Sequence, residues 1–212
     1  MIIPDLSFEF SLWRSGVSLI AGLDEAGRGA WAGPVAAGAV ILSPAADLVE
    51  RLSGVRDSKQ MTPRQRGVWA EKIRAVALAW GVGFATALEI DELGILPATR
   101  LAMQRALAML DIAPEHLLLD AVRLPGVALP QTALIKGDCR VLSIAAASVL
   151  AKTERDRWME KLDVEFPGYG FARHKGYGTA VHRTALESLG ACGQHRKSFK
   201  PIKLLMEIMD GN

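Results

Sequence analysis

The sequence has little cysteine, no long apolar run and no basic N-terminal region. Its two cysteines, Cys139 and Cys192, form neither a disulfide framework nor a metal-binding spacing. The longest apolar stretches, such as 31–42, fall well short of the roughly 18 residues that cross a bilayer. The first ten residues contain acids but no lysine or arginine, unlike the start of a signal peptide. We therefore expect a cytoplasmic protein without a membrane contact.

The net charge of +2 is small, but the basic residues are unevenly distributed. Between residues 171 and 205 the chain has seven lysines or arginines and a single acid, Glu187. Such a segment favours an anionic partner, for which a phosphate backbone is the obvious candidate. A solvated surface is the alternative, because charge runs commonly face water.

Apolar runs and helix-capping signals alternate along the chain and predict an α/β fold. Strands are expected at 18–24, 34–42, 81–89, 116–120 and 132–135, and helices at 63–80, 97–110, 141–165 and 179–189. The chain has no repeat and no low-complexity linker. We expect a single domain over 1–212, with an α/β core at about 18–165 and a helical, basic part at about 166–212.

Acidic residues stand at the ends of several short apolar runs. Asp24 and Glu25 follow the first run, Asp120 closes a second, and Asp138 comes just before a predicted helix. Strands that end in acids can gather them at one edge of a sheet, where their hard oxygen ligands suit Mg²⁺ or Mn²⁺. Two such ions can clamp a phosphodiester for hydrolysis. For each single aspartate the alternative is a turn or a helix cap, and Asp138 is well placed for a cap.

Asp24 and Glu25 cannot both point at one ion from a regular strand, because consecutive residues face opposite sides. One solution is that the strand ends at Asp24, which Gly27 permits by allowing an early turn. The other is that the longer Glu25 side chain bends back toward Asp24.

The segment 27–32 also fits the loose dinucleotide-binding fingerprint G-x-G-x-x-A, and Asp47 lies 20 residues beyond Gly27. That fingerprint must open a helix, whose N-terminus carries the pyrophosphate. Here Gly33, Pro34 and a β-rich run follow, so the turn opens a strand. This context argues against the dinucleotide interpretation.

Several segments resemble, in order, those of the bacterial ribonuclease HII family. They are GLDEAGRGAWAGPVAAGAVIL at 22–42, RDSK at 56–59, LLDAVRLP at 118–125, KGDCRVLSIAAASVLAKTERDRWM at 136–159, FPGYGFARHKGYGTAVH at 166–182 and HRKSF at 195–199. The resemblance covers about residues 18–200, and such an ordered set is far more specific than one motif. There are two departures: Ala121 follows the third acid where glycine is common, and GAWAGP stands where GPLAGP is more usual.

The resemblance implies both a fold and a set of site residues. The fold resembles the ribonuclease H core, a five-stranded mixed sheet flanked by helices, with a helical C-terminal extension. Four acids match the family's catalytic acids, the first three as metal ligands: Asp24, Glu25, Asp120 and Asp138. A turn that reads the ribonucleotide is matched by Gly27, Arg28 and Gly29. Tyr177 matches the tyrosine that stacks at the RNA–DNA junction.

The residue types agree with these implied roles, although each has an alternative. Glycines let main chain approach a sugar closely, and a contact to the 2′-hydroxyl distinguishes RNA from DNA. Arg28 could pair with a phosphate, or instead form a salt bridge to an acid. Tyr177 could stack on a sugar or base, or instead anchor its loop. Basic residues predicted to hold the duplex backbone, without sequence preference, are Lys59, Lys175, Arg196 and Lys197.

The resemblance predicts an enzyme, an endoribonuclease that hydrolyses the RNA strand of RNA–DNA hybrids with Mg²⁺ or Mn²⁺. It also implies a cut 5′ of a ribonucleotide embedded in duplex DNA, leaving 3′-hydroxyl and 5′-phosphate ends by two-metal hydrolysis. A monomer is expected. The alternatives are another two-metal nuclease on the same core, such as a resolvase or integrase-like domain, and a nucleic-acid-binding module that has lost its metals.

Overall fold

A five-stranded mixed sheet forms the centre of the molecule. The computed structural model describes residues 3–45 and 47–210. The strands are β1 (Ile20–Ala26), β2 (Val35–Ile41), β3 (Ala79–Ala85), β4 (His116–Asp120) and β5 (Gln131–Leu134), and they lie in the order β3-β2-β1-β4-β5. β1 pairs antiparallel with β2, and β2 with β3, whereas β1, β4 and β5 run parallel. This sheet and its flanking helices confirm the predicted fold class.

Helices cover both faces of the sheet. They are α1 (Ser7–Arg14), α2 (Leu48–Arg51), α3 (Pro63–Val76), α4 (Ala87–Leu93), α5 (Ile95–Ala108), α6 (Leu142–Glu165), α7 (Phe171–His174), α8 (Ala180–Leu189) and α9 (Lys200–Asp210). α5 packs its buried Ala102 and Met103 on one face, while α6 and α3 cover the other. α7, α8 and α9 surround Met159 and Leu162 at the end of α6. Within the described ranges, no helix is long and apolar enough to cross a bilayer.

The start of α6 lies unusually close to β1 and β2. A Cβ atom at Gly22 would overlap the backbone of Ser143, and one at Gly38 would overlap the backbone of Ala147. Every residue from Ser143 to Ser148 is buried. The small-residue run at 143–148 therefore brings the helix backbone against the strands.

The N-terminus of α6 is capped by a residue from another helix. Its N-cap residue, Val141, offers no side-chain acceptor, and Asp138 lies earlier, in a short 3-10 turn. Instead the backbone N–H of Ser143 donates to Oε1 of Glu9 in α1, at 2.9 Å. Asp138 therefore does not cap α6, which was the alternative to its role in metal binding.

Two predicted boundaries were wrong, because β3 begins earlier than expected and is followed by a helix, α4, that was not predicted. α3 ends at Val76 rather than near residue 80, and Trp80 instead pairs with Val40 in the sheet. The predicted strand 81–89 ends at Ala85, because Thr86 opens a capping box with Glu89. A similar box, between Thr62 and Gln65, begins α3.

Candidate metal centre and nucleic-acid interface

Carboxylates from three separate segments meet at one edge of the sheet. Parallel pairing of β1 with β4 reaches Leu23 and Leu119, and the next residues are Asp24 and Asp120. Asp138 arrives from the turn after β5. One carboxylate oxygen of each aspartate lies within 4.8 Å of those of the other two. The structure therefore brings these predicted acids together from positions far apart in sequence.

Glu25 reaches the same edge by a different route. β1 continues to Ala26, so the strand does not end early at Asp24. Glu25 therefore leaves the opposite face of the strand, and its Oε1 accepts a 3.3 Å hydrogen bond from Nη1 of Arg28. Arg28 thus forms the salt bridge that was its alternative to a phosphate contact.

Two carboxylate oxygens at this edge lack hydrogen-bond partners in the part of the chain that the structure describes, and a cation could supply the missing contacts. Oδ2 of Asp24 and Oε2 of Glu25 are buried and lack a hydrogen-bond partner within the described residues. Burial, followed by the charge of Glu25, raises the pKa of Asp24 well above its ordinary value. Burial likewise raises the pKa of Asp120, although the N–H of Gly137 donates to its Oδ1 at 2.8 Å. A bound cation would relieve both the repulsion and the missing contacts.

The chemistry of these ligands suits a hard divalent cation. Asp24, Asp120 and Asp138 supply oxygen only, which fits Mg²⁺ or Mn²⁺. A second possible group joins Asp138 to Asp57 and Cys139, but it includes a soft thiol. Asp57 also accepts a hydrogen bond from the backbone N–H of Lys59 at 2.9 Å, so it has a capping role. The all-oxygen group is the better metal site.

A cleft of about 570 Å³ opens beside the acids. Its lining combines the glycine–arginine–glycine turn, Lys59, Tyr177 and three of the acids, namely Asp24, Glu25 and Asp120. A larger cleft of about 840 Å³ lies away from them, against β3, and is lined by Trp80 and Met109. Position beside the carboxylates, rather than size, identifies the candidate active site.

The two glycines of the turn serve different purposes. Gly27 has φ +93°, and a Cβ atom there would collide with the side chain of Arg155, so both its conformation and its surroundings require glycine. Among the described residues, apart from its two chain neighbours, none has an atom within 4 Å of where the Cβ of Gly29 would be. The space beside Gly29 is open toward the cleft and is available to another molecule.

Tyr177 lies at the cleft on the loop between α7 and α8. Tyr177 is 37% exposed to solvent. The ring lies 5.8 Å from Nζ of Lys152 and 5.5 Å from Cζ of Arg155. The ring therefore lies beside two cations, while part of the residue remains accessible.

The predicted backbone-binding residues do not form one surface. Nζ of Lys59 lies 3.5 Å from Oδ2 of Asp138 at the cleft, whereas Nζ of Lys175 is paired with Glu160 at 2.7 Å elsewhere. Lys197 is exposed. The individual phosphate contacts of these lysines stay predictions.

Arg196 lies beneath the turn instead of on the surface. It is 0% exposed, and its guanidinium donates to the carbonyls of Gly27, Arg28 and Gly33 at 2.8, 2.8 and 3.0 Å. A β-bridge between Ala32 and the preceding residue, His195, draws it inward. Its side chain is therefore not placed for the predicted contact with a duplex backbone.

Two cationic residues of the cleft were missed by sequence reasoning. Lys152 and Arg66 both line it, and both bind Asp156, at 2.7 and 2.8 Å. The signal that could have found Lys152 is its helical spacing from Ser148 on the face of α6 that follows the small-residue run. Arg66 had no such signal, because it approaches from α3.

Backbone strain is concentrated around the site. Of the described residues, three other than glycine have positive φ: Ala121 (57°), Lys136 (56°) and Lys175 (53°). They lie next to or near Asp120, Asp138 and Tyr177 in sequence. A left-handed conformation costs about 1 kcal/mol or more for such residues. Ala121, which stands where the family commonly has glycine, adds this strain directly beside the third acid.

A chain of hydrogen bonds through buried histidines supports the Tyr177 loop. The N–H of Cys192 donates to Nδ1 of His195 at 2.9 Å, which leaves the ring proton on Nε2. That Nε2 donates to Nε2 of His182 at 3.0 Å, and Nδ1 of His182 donates to the carbonyl of Tyr177 at 3.0 Å. Both rings must be neutral, because a further proton would oppose two N–H groups.

His182 and His195 are expected to remain neutral in the folded protein down to about pH 5. Burial, the largest cause, lowers the pKa of each to about 4. Because the unfolded rings bind protons below about pH 6.5, the folded state loses stability as pH falls from 6.5 toward 4. The imidazole C–H resonances measured by NMR should show no midpoint above pH 5. A titration of either ring near pH 6.5 would contradict the proposed hydrogen-bond chain.

Comparison with known proteins places the chain in a family. The family model described as Ribonuclease HII matches residues 21–202. The ribonuclease HII of Chloroflexus aurantiacus is 56% identical over 202 residues, which cover 95% of each chain. That of Synechococcus sp. is 54% identical over 203 residues, covering 96% of this chain and 91% of the other.

A solved structure agrees with the sequence relatives. The crystal structure of the ribonuclease H2 from Pyrococcus horikoshii matches with a TM-score of 0.74 at 28% identity, covering 92% of this chain and 100% of that one. The residues that the family model matches include all four acids, the turn and Tyr177. The chain therefore belongs to the ribonuclease HII family of metal-dependent endoribonucleases.

Proposed function

We propose that the cleft binds RNA–DNA hybrids and duplex DNA containing ribonucleotides, and that Asp24, Glu25 and Asp120 hold Mg²⁺ or Mn²⁺ within it. Asp138 is the fourth catalytic acid. The observation that carries this proposal is the convergence of Asp24, Asp120 and Asp138 within 4.8 Å. Their mutual repulsion in a buried site supports a role as cation ligands.

Divalent ions bound there would supply an activated water and stabilise the charge that develops on the phosphodiester. The protein's own residues fix where this charge lies. Asp24 lies within β1 and Asp120 is the last residue of β4, and the hydrogen bonds of these paired strands limit their movement. Lys59 contributes a positive charge beside Asp138 at the mouth of the cleft. The proposed products carry 3′-hydroxyl and 5′-phosphate ends.

We propose that backbone groups of the Gly27–Gly29 turn recognise the ribose. Gly29 leaves open space for a close approach, and the amides of the turn can donate to a 2′-hydroxyl without reading the base. Tyr177 is proposed to stack on the adjoining nucleotide. We propose that the cut falls on the 5′ side of the ribonucleotide read in this way.

We propose that lysines bind the phosphate backbone of the duplex and that this binding does not depend on the base sequence. Lys59, Lys175 and Lys197 are the candidates for phosphate contacts. Arg28 can join them through the N–H donors that its contact with Glu25 does not use. We further propose that the chain acts as a single-domain monomer in the cytoplasm.

We expect cleavage of a labelled duplex that carries a single ribonucleotide, only when Mg²⁺ or Mn²⁺ is added. Mapping the labelled product should place the cut immediately 5′ of the ribonucleotide. The matched all-DNA duplex is the control and should stay intact. Cleavage of the all-DNA duplex would favour a resolvase-like activity, and binding without metal-dependent turnover would favour a non-catalytic module.

A further inference from the structure

Two fully buried arginines lie directly beneath the elements proposed to read the substrate. Arg155, from α6, and Arg196, from the segment before α9, are each 0% exposed. Every hydrogen bond that either guanidinium makes within the described residues goes to a backbone carbonyl. A buried cation is expensive unless its donors are satisfied, so these carbonyls are held firmly.

The carbonyls come from the turn and from the chain that follows it. Arg196 binds those of Gly27, Arg28 and Gly33. Arg155 binds those of Ala32, Pro34 and Lys175 at 3.2, 2.9 and 2.9 Å. Most of the carbonyls from 27 to 34 therefore point inward, toward positive charge.

Inward carbonyls force the neighbouring amides outward. In a trans peptide the C=O of one residue and the N–H of the next point in opposite directions, and the described chain has no cis peptide. The carbonyls of Gly27 and Arg28 are bound by Arg196, so the N–H groups of Arg28 and Gly29 face away from it. Arg28 and Gly29 line the cleft, where Gly29 leaves open space. Two donors are thus presented where a sugar can approach.

Arg155 joins the segment 32–34, which follows the turn, to the Tyr177 loop. Its Nη1 binds the carbonyl of Lys175, two residues before Tyr177, while its other nitrogens bind the chain at 32–34. The carbonyl of Gly176 in the same loop accepts hydrogen bonds from the N–H groups of Trp31 and Ala32, at 2.8 and 3.3 Å. These buried hydrogen bonds therefore hold the segment after the turn at a set distance from the Tyr177 loop.

We propose that Arg155 and Arg196 are positioning residues that set the discrimination between ribose and deoxyribose. They do so by aiming the amides of Arg28 and Gly29 into the cleft and by holding that turn at a set distance from Tyr177. Neither guanidinium touches the duplex. This inference rests on the proposed function, because it requires that the turn reads the sugar.

The test compares two duplexes that differ by one 2′-hydroxyl. The single-ribonucleotide duplex is the substrate, and the matched all-DNA duplex is a competitive inhibitor in the same Mg²⁺-containing assay. The variant Arg196→Lys keeps the cation but loses the planar fork that binds three carbonyls. The matched control is Arg64→Lys, at an exposed arginine of α3.

Arg196→Lys should lower kcat/KM for the substrate roughly 10- to 100-fold, the scale expected when two hydrogen bonds are misaligned. The KI of the all-DNA duplex should stay within about twofold of wild type, because phosphate contacts are unchanged. Arg155→Lys should behave in the same way, and Arg64→Lys should resemble wild type. A KI that rises in step with the loss of kcat/KM, or an unchanged kcat/KM, would overturn the inference.

A measurement on the wild type covers the case in which these variants do not fold. The amide resonances of Arg28 and Gly29 should shift on adding the ribonucleotide duplex in Ca²⁺, and much less on adding the all-DNA duplex. Amides that respond equally to both duplexes would overturn the inference. A wild-type enzyme that does not cleave the ribonucleotide duplex would instead overturn the proposed function itself.

Discussion

Asp24→Asn is expected to abolish cleavage while stabilising the metal-free protein. Asp24 is only 2% exposed, and its Oδ2 has no hydrogen-bond partner within the described part of the chain. Asparagine keeps the shape but removes the charge of a proposed metal ligand. Because a catalytic metal contributes several kcal/mol to the transition state, kcat should fall roughly 10³-fold or more.

The stability gain follows from the same buried charge. Burial, and then the charge of Glu25, raises the pKa of Asp24 well above its ordinary value. A carboxyl with a raised folded pKa contributes its full stability below its unfolded pKa of about 3.9, and this is lost as pH rises through the folded value. Asparagine does not ionise, so the variant does not lose this stability as pH rises. At pH 7 the metal-free variant should be more stable by about 1–3 kcal/mol.

Thermal unfolding in EDTA at pH 7 and at pH 4, together with kcat in Mg²⁺, measures both effects. The stability difference between Asp24→Asn and wild type should shrink toward pH 4, and added Mg²⁺ should stabilise the wild type more than the variant. Asp47→Asn, at an exposed acid, is the control for a general charge effect. Near-normal turnover by Asp24→Asn would remove this residue from the metal site.

Tyr177→Ala is expected to slow cleavage at a single embedded ribonucleotide by roughly 10- to 100-fold, since stacking is worth about 1–3 kcal/mol. Binding should weaken less than turnover, because lysines at other positions supply most affinity. The preference for a ribonucleotide junction over an all-RNA strand should narrow. The melting temperature should stay close to wild type, since the 37% exposed residue leaves no closed cavity when it is truncated.

Tyr177→Phe is the matched control, because it keeps the ring and removes only the hydroxyl. Its turnover should stay near that of wild type if the ring face is the active element. Steady-state kinetics on both substrates and a melting curve for each variant make the comparison. A large fall in melting temperature with equal slowing on both substrates would show that Tyr177 only anchors its loop.

The acids could be placed from sequence because each one follows a local signal. Asp24 and Asp120 come at the carboxyl ends of apolar runs, and parallel strands bring such ends to one edge of a sheet. The cluster was therefore predictable from short-range pattern and topology. The path of Glu25 was not, since the strand's length beyond Asp24 depends on its pairing with β2.

Other parts of the site depend on contacts between distant residues, which leave no local pattern. Arg196 and its three carbonyl partners are separated by 163 to 169 positions, and Glu9 caps Ser143 from 134 positions away. In sequence, Arg196 is simply one of several basic residues near the C-terminus. Only the folded chain distinguishes a cation that binds the duplex from one that holds a turn.

Beyond its contact with β1 and β2, α6 carries three residues, Ser148, Lys152 and Arg155, that contact different parts of the cleft and its surroundings. The hydroxyl of Ser148 lies 2.9 Å from that of Ser58, Lys152 lies by the Tyr177 ring, and Arg155 binds the carbonyls of Ala32 and Pro34. Each residue of an α-helix is rotated by about 100° from the last. An insertion or deletion of one residue between 148 and 155 would therefore turn Arg155 away from the carbonyls at 32–34, although it would alter no metal ligand and no residue of the turn. We therefore expect changes in length to be tolerated in surface loops rather than in that part of α6.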